Sequence, residues 1–305
     1  MKIALLFPGQ GSQYVGMGRS LWEAFPEVRN LFDRATDLLG FDVRELCFEG
    51  PKERLDTTLY TQPMLFLVSV AVFRTFDREL GLPAAFVAGH SLGEYAALVA
   101  ACSLTFEEGL SLVRKRAIFM QESVPQGAGG MTAVMGLEAE EVEGICREAA
   151  DGRVLVPANY NAPDQIVMSG EEAPLERATS LVRKRGGKTV RLPVSAPFHS
   201  PLMVPASEKL AKALEDVKLT DPTAPWISNV TASPVRGATD CRRLLSLQVC
   251  SPVLWEASIR RMLALGATRF IELGPQKILK GLCRRMDPAI RCEAAETLDE
   301  LKALA

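Results

Sequence analysis

A serine in a glycine-flanked turn is the first candidate for chemistry in this sequence. Ser91 lies at the centre of Gly89-His90-Ser91-Leu92-Gly93, after an apolar strand-like run and before a helix-forming run. This setting is typical of the G-x-S-x-G nucleophile elbow, and it weighs against a chance match to a short pattern. The tight turn leaves no room for a Cβ at either glycine. It also directs the Leu92 N–H, at a helix N-terminus, toward any oxyanion that forms at the serine.

The chain has two histidines, and one of them is well placed to activate this serine. His90 is the immediate neighbour of Ser91, so its side chain leaves the backbone in a different direction. His199 lies in a loop between predicted elements, where catalytic residues concentrate. We therefore predict Ser91 as nucleophile and His199 as general base and then general acid; the alternative for His199 is a structural histidine. No Asp or Glu between the two stands out as the orienting acid, so a carbonyl group is the alternative partner of the imidazole.

Arg116 is a third candidate because its helical neighbours are apolar. It belongs to a predicted helix that opens with a capping box at Thr105 and Glu108 and runs to about Gln121. The residues three and four positions away are Leu112, Val113, Phe119 and Met120. Residues at this spacing share a helix face, so the guanidinium is directed toward the buried side. The alternative is a side chain whose stem packs while its guanidinium reaches water.

The loop after the first predicted strand, Ile3–Phe7, is a candidate ligand-binding segment. Residues 8–13 are rich in glycine and small polar residues that permit close backbone approach. In an α/β chain such loops meet at the C-terminal edge of the sheet, where the side chain and N–H of Gln10 are within reach of a ligand. The alternative is a plain strand-to-helix turn.

Alternating strand and helix patterns predict an α/β fold with an inserted unit. The Gly-rich stretch 125–130 is a candidate hinge, and strand, helix, strand, strand, helix and strand follow it up to about residue 193. That order is the ferredoxin-like βαββαβ unit. We therefore predict a hydrolase-like large subdomain, residues 1–124 and 196–305, whose parallel sheet carries the nucleophile elbow. A ferredoxin-like subdomain, residues 125–195, is inserted into it.

Other local patterns predict the elements around these two units. Apolar periodicity indicates a helix over Leu21–Leu39, and Thr61 is the candidate N-cap of a buried helix that includes Pro63. Near the C-terminus we expect a strand over Trp226–Thr231. Arg269–Leu273 is expected as the last core strand.

The composition is ordinary for a soluble globular protein. The 305 residues are 48% hydrophobic with a net charge of −2, and nothing in this balance points to nucleic acid as a partner. Seven cysteines, without a C-x-x-C pair, predict buried free thiols in a reducing compartment. The apolar runs Ile3–Phe7 and Met64–Phe73 are short for a signal-peptide core and a membrane span. We therefore expect a cytoplasmic protein that does not insert into a membrane.

Ordered motifs run through the whole chain. They are Phe7-Pro8-Gly9-Gln10-Gly11-Ser12-Gln13, Thr61-Gln62-Pro63, the elbow Gly89 to Glu94, Arg116, Asn159, Asn161, Pro163, Gln165, Ser169-Gly170, Pro197-Phe198-His199-Ser200, Ser228-Asn229-Val230-Thr231-Ala232, Gln248 with Ser251-Pro252-Val253, and Glu272-Leu273-Gly274-Pro275. In the type, order and spacing of these motifs, the chain resembles the malonyl-CoA:acyl-carrier-protein transacylase family, and the resemblance covers the full chain. Gln276 departs from the pattern, since the family usually has glycine there, and we expect little consequence.

The resemblance implies a ping-pong acyl transfer. Ser91 attacks the thioester of malonyl-CoA with His199 as base, and CoA leaves. The phosphopantetheine thiol of acyl carrier protein then takes the malonyl group, as an extender unit for fatty acid or polyketide synthesis. The resemblance implies malonyl-CoA and acyl carrier protein as partners, no cofactor or metal, and a monomer.

It also implies roles for residues around the serine. The N–H groups of Gln10 and Leu92 form the oxyanion hole, and the carbonyl of Gln248 orients the histidine. Arg116 forms a bidentate pair with the malonyl carboxylate, which agrees with its apolar setting. Phe198 resembles the malonyl-selective form of the motif and leaves less room for a methyl branch.

Two other classes of function are weighed against this one. A serine thioesterase or esterase of the α/β-hydrolase type needs an acid between the serine and a late histidine, whereas about 100 residues follow His199 here. A non-catalytic module that binds acyl groups or carrier protein does not need Ser91. Carrier protein is typically acidic, so we expect a basic rim near the cleft. Each candidate for it is otherwise an ordinary solvated side chain: Arg183, Lys184, Arg185, Lys188, Lys277, Lys280, Arg284 and Arg285.

Overall fold

The computed structural model describes residues 1–125, 127–194 and 196–305. Its strands are β1 (Ile3–Phe7), β2 (Ala84–Gly89), β3 (Gly129–Met135), β4 (Leu155–Ala162), β5 (Gln165–Glu171), β6 (Lys188–Arg191), β7 (Trp226–Ile227), β8 (Pro234–Val235), β9 (Arg269–Leu273) and β10 (Cys292–Ala295). Its helices are α1 (Arg19–Ala24), α2 (Pro26–Leu39), α3 (Val43–Phe48), α4 (Lys52–Leu55), α5 (Thr58–Leu80), α6 (Gly93–Ala100), α7 (Phe106–Glu122), α8 (Ala139–Ala150), α9 (Glu172–Lys184), α10 (Val204–Glu215), α11 (Ala238–Gln248), α12 (Trp255–Ala264), α13 (Ile278–Met286) and α14 (Leu298–Lys302), with a 3-10 turn at Pro201–Met203.

The larger sheet has six strands in the order β10-β9-β1-β2-β7-β8. Neighbouring strands are parallel except for β8, which runs antiparallel to β7 at one edge. All five residues of β1 are buried, as expected for a central strand covered on both faces. The predicted α/β fold with a mainly parallel sheet is confirmed.

Strands β1 and β2 bring two predicted functional loops together. Phe7 pairs with Gly89 at their carboxyl ends, and the His90 N–H donates to the Phe7 carbonyl at 2.9 Å. A Cβ on Gly9 would overlap the His90 carbonyl, and one on Gly93 would overlap the Phe7 carbonyl. These glycines therefore let the loop 8–13 and the serine turn pack backbone to backbone.

The smaller sheet is antiparallel, with the order β4-β5-β3-β6. Helices α8 and α9 cover one of its faces around a separate apolar cluster. The predicted ferredoxin-like βαββαβ unit is therefore present between α7 and α10.

The opposite face of the smaller sheet belongs to the core of the larger unit. Met131 and Val167 are part of the main apolar cluster, and Val253 exchanges backbone hydrogen bonds with Ala158 (2.8 Å) and Tyr160 (2.9 Å). The two units therefore share a hydrophobic core. The subdomain limits at 125 and 195 stay a prediction, and Gln126 and Ser195 lie outside the described residues.

The predicted helix over Leu21–Leu39 is two helices, α1 and α2. The break falls at Phe25, whose backbone is extended, directly before Pro26 at the start of α2. A proline disfavours helical backbone in the residue before it and cannot donate in a continuing helix, so the apolar periodicity spans a break.

The prediction of Thr61 as an N-cap is wrong. Helix α5 begins one turn earlier with Thr57 at its N-cap, and the Thr61 hydroxyl donates to the Leu55 carbonyl at 2.6 Å. Among the described residues, α5 is the one helix that is long and apolar enough to cross a membrane, contrary to our expectation from run length. Within the protein, 78% of its apolar window is buried, as in a central core helix.

Two C-terminal predictions also need correction. The strand predicted over 226–231 is only Trp226–Ile227, because the chain turns at Ser228, which accepts from the Ala232 N–H at 2.8 Å. Strand β9 is not the last core strand, since β10 pairs with it in parallel. Its sequence, Cys-Glu-Ala-Ala, carries little β-propensity.

The cysteine prediction is confirmed in part. All seven thiols are free, but Cys102 is exposed and Cys250 and Cys292 are half-buried.

Candidate active site

Ser91 lies in the predicted strand–turn–helix elbow between β2 and α6. Its φ of 50° is in the left-handed region, which a non-glycine residue adopts only where its surroundings enforce it. A Cβ on Gly89 would overlap the Gly93 backbone, so both glycines are required by this turn. The turn leaves the serine hydroxyl at the edge of a cavity of about 250 Å³.

His199 contacts the serine directly. Its Nε2 lies 2.7 Å from Ser91 Oγ, and its Nδ1 faces two backbone carbonyls, Gln248 O at 2.9 Å and Ser251 O at 3.2 Å. Because carbonyls only accept, Nδ1 carries the proton and Nε2 is free to accept from the serine hydroxyl. Burial, assisted by the positive charge of Arg116, lowers the pKa of His199 to about 3. The imidazole is therefore neutral and disposed to act as a base.

His90 does not contact the serine hydroxyl. Its Nε2 lies 2.8 Å from Asn161 Oδ1 on β4, and its ring packs against Trp255. The interpretation that His90 points elsewhere is confirmed, and His90 instead connects the elbow to the inserted unit.

Arg116 is only 1% exposed, so its guanidinium does not reach water and the alternative of a solvated head group is wrong. Its Nη1 donates to Gln62 Oε1 at 2.7 Å, and its Nη2 donates to Ser91 Oγ at 3.0 Å and Gln248 Oε1 at 2.9 Å. In the described part of the chain its Nε has no acceptor. A buried guanidinium with an unused donor beside a nucleophile is suited to receive an anionic group.

Gln10 and Leu92 both line the cavity. Within the described residues, the backbone N–H of neither one donates to a protein acceptor. The Gln10 side chain donates to Thr58 Oγ1 at 3.1 Å, which fixes the loop, and Leu92 occupies the N-cap position of α6. Unpaired N–H donors at such a cavity, one of them at a helix N-terminus, are suited to stabilise an oxyanion.

Residue-level reasoning missed a polar network below the serine. Glu94, on the first turn of α6, accepts from the Asn229 N–H at 2.6 Å and from Gln248 Nε2 at 2.8 Å. Asn229 Oδ1 accepts from the Ser91 N–H at 2.8 Å, and its Nδ2 donates to the Gly89 carbonyl at 2.8 Å. One signal was available, because an acidic residue begins an otherwise apolar helix at position 94.

Both structural units contribute to the cavity. Met131, Asn159 and Asn161 come from the smaller sheet, whereas Met120 and Phe198 come from the larger unit. Among the described residues, no three His, Cys, Asp or Glu side chains cluster as metal ligands would.

The comparisons with known proteins agree with this arrangement. The model of the acyl transferase domain family matches residues 4–287, and the chain belongs to that family. The chain is 44% identical over 292 residues to the malonyl CoA-acyl carrier protein transacylase of Bacillus subtilis (strain 168), which covers 95% of this chain and 92% of that protein.

Solved structures show the same fold. The malonyl CoA-acyl carrier protein transacylase from Coxiella burnetii matches with a TM-score of 0.97 and 41% identity, covering 100% of this chain and 96% of that one. A malonyl-transacylase in complex with its type II PKS acyl-carrier protein matches with a TM-score of 0.97 and 38% identity, covering 99% of this chain and 98% of that one.

Proposed function

We propose that this chain transfers the malonyl group from malonyl-CoA to the phosphopantetheine thiol of acyl carrier protein. The observation that carries the proposal is the position of Arg116, a buried cation whose Nη2 lies 3.0 Å from the nucleophile oxygen. Burying a charge is costly unless it is paired, so the site favours an acyl group that brings its own carboxylate. The relatives described above are malonyl CoA-acyl carrier protein transacylases.

In the first half-reaction His199 Nε2 takes the proton of Ser91 as Oγ attacks the thioester carbonyl. The oxyanion of the tetrahedral intermediate accepts from the N–H groups of Gln10 and Leu92. His199 then returns the proton to the CoA thiolate as the carbon–sulfur bond breaks. The product is a malonyl-serine ester, and Arg116 holds its carboxylate.

The second half-reaction runs the same steps in reverse with a new thiol. The phosphopantetheine thiol gives its proton to His199 Nε2 and attacks the serine ester, and Ser91 leaves with that proton. No redox step or cofactor is needed, since the thioester supplies the acyl group. The His199 Nδ1–H stays on the Gln248 carbonyl in both halves, so the imidazole keeps its tautomer.

We further propose that the chain acts as a cytoplasmic monomer that neither enters a membrane nor binds nucleic acid. Its free cysteines and its net charge of −2 support this proposal. We also propose that residues 1–124 and 196–305 form one subdomain and residues 125–195 another, with the cleft between them as the acyl and pantetheine site. The lining of the cavity by both units supports this division.

The experiment that tests the function separates a transferase from a hydrolase. The protein is incubated with malonyl-CoA, and acyl carrier protein with its phosphopantetheine arm is added to one half of the sample. A transferase yields malonyl-carrier protein and little free malonate. Rapid release of malonate without the carrier supports a thioesterase, and full biological activity of Ser91→Ala supports a non-catalytic binding module.

A further inference from the structure

Glu94 is a buried carboxyl group that the proposed reaction does not use. It is 0% exposed, three residues after the nucleophile, and it does not line the cavity. A buried carboxylate is costly unless its charge is paired and its oxygens accept hydrogen bonds. Because Glu94 is buried directly below the serine turn, we expect it to have a specific role there.

Both Glu94 oxygens accept hydrogen bonds: Oε1 accepts from the Asn229 N–H at 2.6 Å and Oε2 from Gln248 Nε2 at 2.8 Å. A protonated carboxyl would need an acceptor for its O–H, so this geometry is that of the ionised form. Burial raises the pKa of Glu94 to about 8, although the two donors and the charge of Arg116 act in the opposite direction.

Two acceptors, Glu94 and the Ser91 carbonyl, together set the orientation of the Gln248 carboxamide. Gln248 Nε2 donates to Glu94 and to the Ser91 carbonyl at 2.6 Å, which leaves Oε1 to accept from Arg116 Nη2 at 2.9 Å. With the carboxamide reversed, its NH₂ group would face the guanidinium. Gln248 Nε2 and Arg116 Nη2 would then both lose their acceptors. The Glu94 oxygen that accepts from Nε2 thus helps to fix which end of the Gln248 carboxamide meets Arg116.

We propose that Glu94 is a positioning residue that acts through the Gln248 carboxamide. It holds Arg116 in place for the substrate carboxylate and so sets the preference for malonyl over an uncharged acyl group. This inference rests on the proposed function.

The test is Glu94→Gln, with the rates of Ser91 acylation by malonyl-CoA and by acetyl-CoA measured by intact mass. A glutamine at position 94 presents one acceptor and one donor group, so either Asn229 or Gln248 faces the donor. In the second case the Ser91 carbonyl alone holds the Gln248 carboxamide. We expect the malonyl-to-acetyl rate ratio to fall about tenfold or more, since small displacements of a positioning group have effects of this order. An unchanged ratio would overturn the proposal.

Glu272→Gln is a matched control. Glu272 is also 0% exposed and accepts two backbone hydrogen bonds, from Leu279 at 3.0 Å and Lys280 at 2.8 Å, without contacting Gln248 or Arg116. Its loss is expected to lower the melting temperature and leave the rate ratio unchanged. An equal fall of the ratio in both variants would mean a general structural effect and would contradict a positioning role.

A second variant covers the case in which Glu94→Gln does not fold. Gln248→Met keeps the length of the side chain and the backbone carbonyl at His199 but removes the carboxamide, so the ratio should again fall. In the double variant the fall should be no larger than in Gln248→Met alone, because that change already removes the contact with Glu94. Additive losses, or an unchanged ratio in Gln248→Met, would overturn the proposal. If the wild-type protein forms no malonyl adduct, the proposed function itself fails.

Discussion

The Ser91 hydroxyl donates a hydrogen bond to the buried His199 imidazole and accepts one from the buried Arg116 guanidinium. His199 Nε2 lies 2.7 Å from Oγ and Arg116 Nη2 lies 3.0 Å from it. The positive charge that we propose as the partner of the substrate carboxylate also lowers the pKa of the histidine. Under this proposal, the choice of substrate and the pKa of the base both depend on Arg116.

Arg116→Ala removes the guanidinium that we propose as the partner of the malonyl carboxylate. We expect acylation of Ser91 by malonyl-CoA to slow by about 100-fold or more, because an unpaired buried charge costs about 3–5 kcal/mol. Acylation by acetyl-CoA should change far less, and Arg116→Lys, which keeps the charge but not the planar fork, should lie between. Rapid-quench mass spectrometry gives these rates. Equal losses for the two substrates would contradict the assignment of Arg116.

The pH dependence of acylation depends on the lowered pKa of His199. The base must be neutral, and burial together with the nearby charges of Arg116 and His90 favours the neutral form. A group with a lowered pKa stays neutral as the pH falls through 6.5, so kcat/KM for malonyl-CoA should stay level from about pH 8 to about pH 5. A fall in kcat/KM with an apparent pKa near 6.5 would show an ordinary, solvated histidine.

At the level of elements, local patterns predicted most of the fold. The elbow, the capping box at Thr105 and the βαββαβ order follow from glycine placement, side-chain capping and apolar periodicity, and the structure has all three. The split at Phe25 and the early start of α5 were missed because periodicity does not mark where a helix is interrupted.

Some residues of the candidate site could likewise be predicted from local sequence patterns, and others could not. Ser91 and His199 stand out by type and context, whereas the contact of Gln248 with both Arg116 and His199 depends on how α11 packs. The hydrogen bonds of Glu94 join α6 to the turn after β7 and to the last residue of α11. Contacts between residues far apart in the chain are set by tertiary packing, which local sequence patterns do not describe.

Gln276 carries an identifiable strain. Its φ of 63° is left-handed, where glycine has no steric penalty. We expect Gln276→Gly to raise the free energy of unfolding by about 0.5 kcal/mol, the strain relieved less the extra freedom of glycine in the unfolded chain.

Urea unfolding measures this change. Gln276→Ala, which keeps the Cβ and therefore the strain, is the control and should not be stabilised. If Gln276→Gly is less stable than both the wild-type protein and Gln276→Ala, the Gln276 side chain contributes more to the free energy of unfolding than the backbone strain costs.

For the whole molecule, the unit around the larger sheet and the unit around the smaller sheet share a hydrophobic core. Each of them also contributes residues to the lining of the same cavity. Helix α13 connects this cavity with the surface: Ile278, Leu279 and Leu282 line the cavity. Lys280 and Arg284 lie on the same helix and form no ion pair with the described residues. Of the basic candidates, we therefore expect these two cations to meet an acidic carrier protein.

Reversing the charge of both residues, Lys280→Glu with Arg284→Glu, should raise the KM for acyl carrier protein about tenfold through loss of charge complementarity. Transfer to a small pantetheine thiol should be unchanged. The matched control is Arg183→Glu with Lys184→Glu on α9, a helix that does not line the cavity. Equal effects of the two double variants would show a response to net charge alone.

The most direct test of the account is the intact mass of the protein after brief exposure to malonyl-CoA without an acceptor. We expect one malonyl group on Ser91 that persists until a thiol acceptor is added, and no adduct on Ser91→Ala. Parallel samples with acetyl-CoA and methylmalonyl-CoA should be modified much more slowly. A malonyl adduct on Ser91→Ala, or no adduct on the wild-type protein, would contradict the assignment of Ser91 as the nucleophile of a malonyl transfer.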